Sequence, residues 1–149
     1  MTETIIETTP APKVALRGPD RFGWFWGTGR RKAAIARVRV KTGTGEFTVN
    51  DRAFDEHCVD VRDRQMVNQV LESTGTKGKI QVVATTTGGG TTGQTGALIL
   101  GLARAIREYN PGLEASLREH GYLTRDARRV ERKKYGQPGA RRRFQFSKR

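Results

Sequence analysis

The sequence predicts an α+β domain, with a β-sheet of about four strands packed on helices, ending in an extended basic C-terminal tail. Three observations predict it. Two stretches read as strands, 32–40 by its alternation and 79–86 by its β-branched residues. One long stretch, about residues 94–109, repeats its apolar residues at helical spacing. Residues 125–149 hold eleven basic side chains against two acidic ones, Asp126 and Glu131, in a chain of 149 residues with net charge +13. The expected organisation is a leader over residues 1–24, a globular domain over 25–134 and a tail over 135–149.

The leader is rich in Thr and Pro. It lacks the cationic start and apolar run of a signal peptide, and Glu3 and Glu7 argue against a transit peptide, so disorder is expected there. Residues 21–26 (RFGWFW) place four rings in six positions. Sealing the edge of a small core is the expected role, with base stacking as the alternative. Residues 27–32 (GTGRRK) read as a glycine-loosened turn whose backbone approaches a phosphate beside Arg30, Arg31 and Lys32.

In the strand at 32–40, Ala34, Ala36, Val38 and Val40 alternate with Ile35, Arg37 and Arg39, giving one apolar face and one partly basic face. After a loop at 42–45, residues 46–49 return as a second strand with Phe47 and Val49 inward. The two form a hairpin. Residues 50–52 turn, and 53–58 make a helical turn at best. Asp60 or Asp63 caps a helix over 64–72 with Met66, Val67, Val70 and Leu71 on one stripe. Residues 73–78 break it, and 79–86 form a third strand. A glycine-rich loop then leads into the long helix, whose apolar face is Leu98, Leu102, Ala105, Ile106 and Tyr109, with Arg104, Arg107 and Glu108 off it. Asn110-Pro111 restarts the helix as cap and first residue. The new helix buries Leu113 and Leu117 and ends at Gly121. Val130, alone among charges in 128–134, suggests a last extended segment added to the sheet.

A pI near 10.9 makes nucleic acid the first partner to test. A membrane surface is disfavoured, because Gly136, Pro138 and Gly139 interrupt any amphipathic helix in the tail, and no run of 18 apolar residues exists to span a bilayer. Cys58 is the single cysteine, which excludes an internal disulfide and suits a reducing compartment. His57 beside Cys58 does not make a zinc site, since neighbours in sequence rarely converge on one metal and no further ligand follows at the right spacing. No nucleophile–base constellation stands out, so neither catalysis nor a cofactor is expected.

Gly88-x-Gly90-x-x-Gly93 matches the dinucleotide fingerprint literally, but its context fails. The helix leads to another helix, and no acidic residue ends a strand about 20 residues on. A physical possibility survives: Gly88, Gly89, Gly90, Gly93 and Gln94 open a helix whose N–H groups and dipole suit a phosphate. The glycines serve equally well as a tight strand-to-helix turn. In the tail, Tyr135, Phe144 and Phe146 interleave with arginines that fork onto phosphates, an arrangement suited to RNA.

Four motifs in order, residues 27–32 (GTGRRK), 88–97 (GGGTTGQTGA), 123–136 (LTRDARRVERKKYG) and 140–149 (ARRRFQFSKR), closely resemble the bacterial type of the universal small-subunit ribosomal protein S nine family. The resemblance covers about residues 25–149. It implies the ribosomal protein S five domain 2-like fold with a left-handed βαβ crossover. It also implies a place in the head of the small ribosomal subunit in the cytoplasm, on the 3′ major domain of the rRNA and beside neighbouring head proteins. The tail threads through rRNA in such proteins, and Ser147, Lys148 and Arg149 match the terminal motif that meets peptidyl-site tRNA. The expected rRNA-binding residues are Arg30, Arg31, Lys32, Arg37, Arg39, Arg125, Arg128, Arg129, Arg132, Lys133, Lys134, Arg141, Arg142 and Arg143. The competing readings are a nucleotide-binding enzyme using the glycine loop and a nucleic-acid-binding module acting away from the ribosome.

Overall fold

The sheet begins earlier than the sequence spacing predicts. In the computed structural model, which describes residues 17–148, Phe25–Arg31 is already a strand, β1. It runs antiparallel to β2, Ala34–Thr42, pairing Trp26 with Arg39, Thr28 with Arg37 and Arg31 with Ala34. Residues 27–31 are therefore sheet, and the turn is the pair Lys32-Ala33, with Lys32 at φ 52°. Gly27 and Gly29 have a packing reason. A Cβ on either would collide with the backbone of the long helix, at Gly101 and Ala105 for Gly27 and at Ala97 and Gly101 for Gly29. Strand glycines mark such close backbone approach.

The next strands correct the expected hairpin. β3, Phe47–Val49, does not pair with β2. A longer strand, β5 at Ile80–Thr87, lies between them, and the sheet order is β1-β2-β5-β3-β4. β2 and β5 match over eight residue pairs, from Ile35 with Thr87 to Thr42 with Ile80, a longer ladder than the three residues of β3 can offer. β3 instead runs parallel to β5, with Phe47 beside Val82 and Val49 beside Ala84. This keeps both apolar residues on the covered face. The two-residue strand β4, Arg52–Ala53, closes the edge through the turn Asn50-Asp51, both at positive φ as a type I′ turn requires.

The crossover from β3 to β5 carries α1, Phe54–His57, and α2, Val61–Ser73. Asp60 caps α2, its carboxylate accepting from Arg62 N at 2.9 Å, so the helix starts three residues before the expected bound. Asp63 is buried and accepts a hydrogen bond from Thr95 Oγ1 at 3.0 Å. Val67, Val70 and Leu71 are buried as expected, while Met66 is exposed.

α3, Thr91–Tyr109, lies across β1 and β2. Its seam onto β1 is Ala97, Gly101 and Ala105, four apart, small enough for backbones to touch. Leu98, Leu102 and Ile106 are fully buried, and Leu100 and Ala103 are buried too, because α2 and α4 pack on the far side. Each of these leucine and isoleucine side chains contributes roughly 1.5–3 kcal/mol. Asn110 accepts from Gly112 N at 3.1 Å and opens a 3₁₀ turn, Pro111–Leu113, followed by α4, Glu114–Glu119. Leu117 is fully buried, and Gly121, at φ 73°, ends the segment.

The result is an α+β domain with a mixed five-stranded sheet, compatible with the S five domain 2 class. The added strand at 128–134 is absent: residues 125–148 hold neither helix nor strand, and Val130 is 94% exposed. Its neighbours Arg129 and Glu131 leave no apolar face to bury. The ring cluster at 21–26 is divided. Phe25 packs edge-on to Tyr109 at 5.5 Å, but Phe22 and Trp26 are exposed and seal nothing. Residues 1–16 of the expected leader, and Arg149, lie outside the described residues.

Candidate nucleic-acid interface

Three sequence-distant segments meet at the N-terminal end of α3. They are the β1–β2 turn, the glycine loop and the root of the tail. The turn is pressed against the loop, since a Cβ at Gly88 would lie 2.8 Å from the Ala33 carbonyl oxygen and one at Gly89 would lie 3.1 Å from Ala34 N. The tail root is fastened to the end of β1 and to the turn. Arg31 Nη2 binds Asp126 Oδ2 at 3.1 Å, and Arg129 Nη2 donates to the Lys32 carbonyl at 3.3 Å. Asp126 also takes Arg128 in a fork, at 3.1 and 2.9 Å, and the Arg128 backbone N–H at 3.0 Å. These hydrogen bonds from Arg128, with the Arg31 charge behind them, hold the Asp126 carboxyl well below the usual carboxylate range and raise Arg128 in turn. Asp126 thus stays ionised as the clasp between β1 and the tail.

The loop presents a helix start of unusual openness. Gly88 and Gly89 stand at φ 71° and 65°, so the turn itself requires them. Gly90 does not share that need. It is the N-cap residue in an extended conformation, its Cβ position meets nothing within 4 Å, no side chain caps the helix, and the first turn holds no acid. The first N–H groups of the helix, with the positive dipole end, thus have no side-chain cap, beside the turn whose Lys32 carbonyl binds Arg129.

Two of the loop residues turn inward. Gly93 is buried against Ala34. Gln94 lies with its Oε1 3.1 Å from His57 Nε2 and 3.3 Å from Thr86 Oγ1, and donates from Nε2 to the Gly88 carbonyl at 3.2 Å. Asn50 completes the network through Thr86, to its backbone N–H, carbonyl and hydroxyl. Gln94 therefore holds the loop in place and does not face an anion. His57 has a structural partner here, and among the described residues no group of three or more His, Cys, Asp or Glu is placed to hold a metal ion. Cys58 is buried, and burial pushes its thiol up from the ordinary value.

Arg30, Arg31 and Arg128 also line a groove of about 510 Å³ that runs from β1 to the turn at 120–124, where His120 and Tyr122 stack at 5.6 Å. Arg37 and Arg39 are not part of this end. They project from the middle of β2 onto the sheet face that α3 leaves open. Arg125, Arg132, Lys133, Lys134, Arg142, Arg143 and Lys148 are exposed. The segment bends at residues 134–141: Lys134 N reaches the Gly139 carbonyl at 3.5 Å, and Arg141 pairs with Glu131 at 2.7 Å. Lys41 was not among the expected residues, and Trp24 and Trp26 were expected to seal the core, with base stacking as the alternative; all three share the open face with Arg39. Continuing the β2 alternation to residue 41, and noticing the two-residue spacing of the tryptophans, finds all three.

Among the described residues no helix is long and apolar enough to cross a membrane. A family model described as Ribosomal protein S9/S16 matches residues 29–149, from the end of β1 through the tail.

Proposed function

Because the chain belongs to the Ribosomal protein S9/S16 family, and is thus a structural small-subunit ribosomal protein that binds rRNA, we propose that it holds the rRNA of the subunit head from two sides while its tail reaches the peptidyl-site tRNA. The observation that carries the finer reading is the convergence at α3. An uncapped helix start, Lys32, Arg129 and the Arg31–Asp126 clasp stand together where the basic tail leaves the domain. The loop of Gly88, Gly89 and Gly90 brings the first-turn N–H groups of α3 to one rRNA phosphate, and Arg30, Lys32, Arg128 and Arg129 flank it. The occupant is the 3′ major domain, with neighbouring head proteins at the rim. The β3–β5 crossover is left-handed, and the particle works in the cytoplasm. The protein carries out no chemistry. It supplies charge and shape.

Beyond the clasp, residues 132–148 leave most of their cations exposed. They extend between rRNA helices, with Arg141, Arg142 and Arg143 on phosphates and Phe144 and Phe146 in the grooves. Ser147, Lys148 and Arg149 form the tip at the tRNA anticodon loop and help hold initiator and peptidyl tRNA. Removing Lys148 and Arg149 is expected to lower the affinity of isolated small subunits for tRNA in the peptidyl site. Unchanged affinity contradicts the tip's role. About six phosphate contacts from the tail give a log–log salt slope of roughly −4 on single-stranded RNA, at ~0.7 per phosphate.

A further inference from the structure

α3 covers one face of β1, β2 and β5, and the alternate positions of these strands, on the opposite face, are exposed or half-buried. Strand alternation decides what it presents. From β1 come Trp26, Thr28 and Arg30. From β2 come Ile35, Arg37, Arg39 and Lys41, and from β5 Gln81, Val83, Thr85 and Thr87. The register lines these up in rows: Trp26–Arg39–Val83, Thr28–Arg37–Thr85 and Arg30–Ile35–Thr87. The one carboxylate that meets these strand positions among the described residues is Glu46, just ahead of β3, which accepts from Gln81 Nε2 at 3.2 Å; Arg30, Arg37, Arg39 and Lys41 make no ion pair among the described residues. The Arg39 guanidinium lies 5.0 Å over the Trp24 ring and 5.9 Å over Trp26, and Lys41 Nζ lies 5.9 Å over Trp24. Trp26 nevertheless keeps 48% of its surface exposed.

We propose that this open sheet face binds an unpaired stretch of RNA, one base stacking on Trp26 and the flanking phosphates held by Arg30, Arg37 and Lys41. The inference rests on the RNA-binding reading above and gives it a second surface, which adjoins the α3 end at Arg30 and is distinct from the tail. Charge and shape together select the occupant. A protein partner wants an apolar centre with few charges, whereas here four cations surround a few apolar side chains. A duplex hides its base faces, while an unpaired strand offers both phosphates and rings to a flat sheet carrying aromatics. Arg39 lies against both indoles, and Trp26 still leaves about half its surface to solvent.

The two tryptophans of the chain, Trp24 and Trp26, both sit at this face, so intrinsic fluorescence reports on it alone. The test is a titration of the full chain with a short single-stranded oligoadenylate, following tryptophan emission and the anisotropy of the labelled RNA in parallel. The inference expects the emission to be quenched along the anisotropy curve. It also expects Trp26→Ala to weaken binding by about 5- to 150-fold, the measured range for losing one base stack. Arg37→Gln, at an exposed position with no intramolecular partner, is expected to weaken binding and flatten the salt slope by ~0.7 without loss of fold. Binding by anisotropy with unchanged emission and unchanged affinity of both variants overturns the inference and leaves the RNA-binding reading standing. No binding by anisotropy overturns both. Photocrosslinking of Trp26 to a protein, and not to rRNA, in assembled subunits makes the face a protein-docking surface and also overturns it.

Discussion

Replacing Gly90 with Asp separates the two roles open to the glycine loop. The backbone there, at φ −106° and ψ 175°, already has the conformation of an N-cap, and a side chain meets no atom within 4 Å. The new carboxylate caps N–H groups of the first turn of α3, for a few tenths of a kcal/mol over glycine. Its charge at the positive dipole end adds ~0.3–1 kcal/mol. The loss of glycine freedom in the unfolded chain adds ~0.4–1 kcal/mol. The variant is therefore expected to be more stable by about 1–2 kcal/mol, a rise in Tm of about 3–8 °C for a domain of this size. RNA affinity moves the other way. A phosphate seated on the loop loses its N–H donors to the carboxylate and meets a like charge. Hydrogen bonds to charged groups are worth ~1.5–3 kcal/mol, so affinity falls by at least about tenfold, and the salt slope flattens by ~0.7 to 0.9. Thermal unfolding by circular dichroism and RNA anisotropy over a salt series read both quantities. A higher Tm with unchanged affinity and slope refutes the phosphate role and leaves the glycines as a turn. A lower Tm refutes the cap geometry itself.

Gly29→Ala is expected to cost at least the ~1–3 kcal/mol typical of overpacking, because the atoms in the way are the α3 backbone at Ala97 and Gly101 and cannot swing aside. Urea unfolding measures it, and an unchanged midpoint contradicts the helix–sheet contact. The Asp126 carboxyl is held low by Arg128 and Arg31, so its stabilising contribution is fully present above its unfolded value of ~4 and is lost only as pH falls through the lowered folded value. Its carboxyl carbon, followed by NMR, is expected to titrate below the ordinary carboxylate range, and a midpoint near 4 contradicts the clasp. Cys58, buried and with its thiol pushed up, is expected to react with iodoacetamide at neutral pH far more slowly in the folded chain than in denaturant. Equal rates contradict its burial.

Local patterns made much of the fold legible. The alternation of Ala34, Ala36, Val38 and Val40, the helical stripe of Leu98, Leu102 and Ile106, and the Asn110-Pro111 restart each encode a preference within a few residues, and the structure keeps all three. Non-local choices were hidden. Nothing in residues 46–49 announces that β5 will insert beside β2, because strand order depends on which ladder is longer once both exist. Gly27 and Gly29 read as a flexible turn until the partner that needs them, the small seam of α3, is in place. For the interface, charge alone pointed to Arg30, Lys32, Arg128 and Arg129. The clasp through Asp126 and the inward turn of Gln94 depend on contacts between residues 31 and 126 and between 94 and 57, which no spacing reveals. The open sheet face was half legible: the basic side of β2 was read, but the tryptophans were assigned to packing because the start of β1 was placed too late.

The central claim is that this chain is a structural, rRNA-bound component of the small ribosomal subunit. Sedimentation of cell extracts through moderate-salt washes tests it most directly, with the protein quantified in each fraction. The account predicts that it stays with small subunits at one copy per particle. Recovery in the free-protein fractions, or with DNA in place of small subunits, contradicts it.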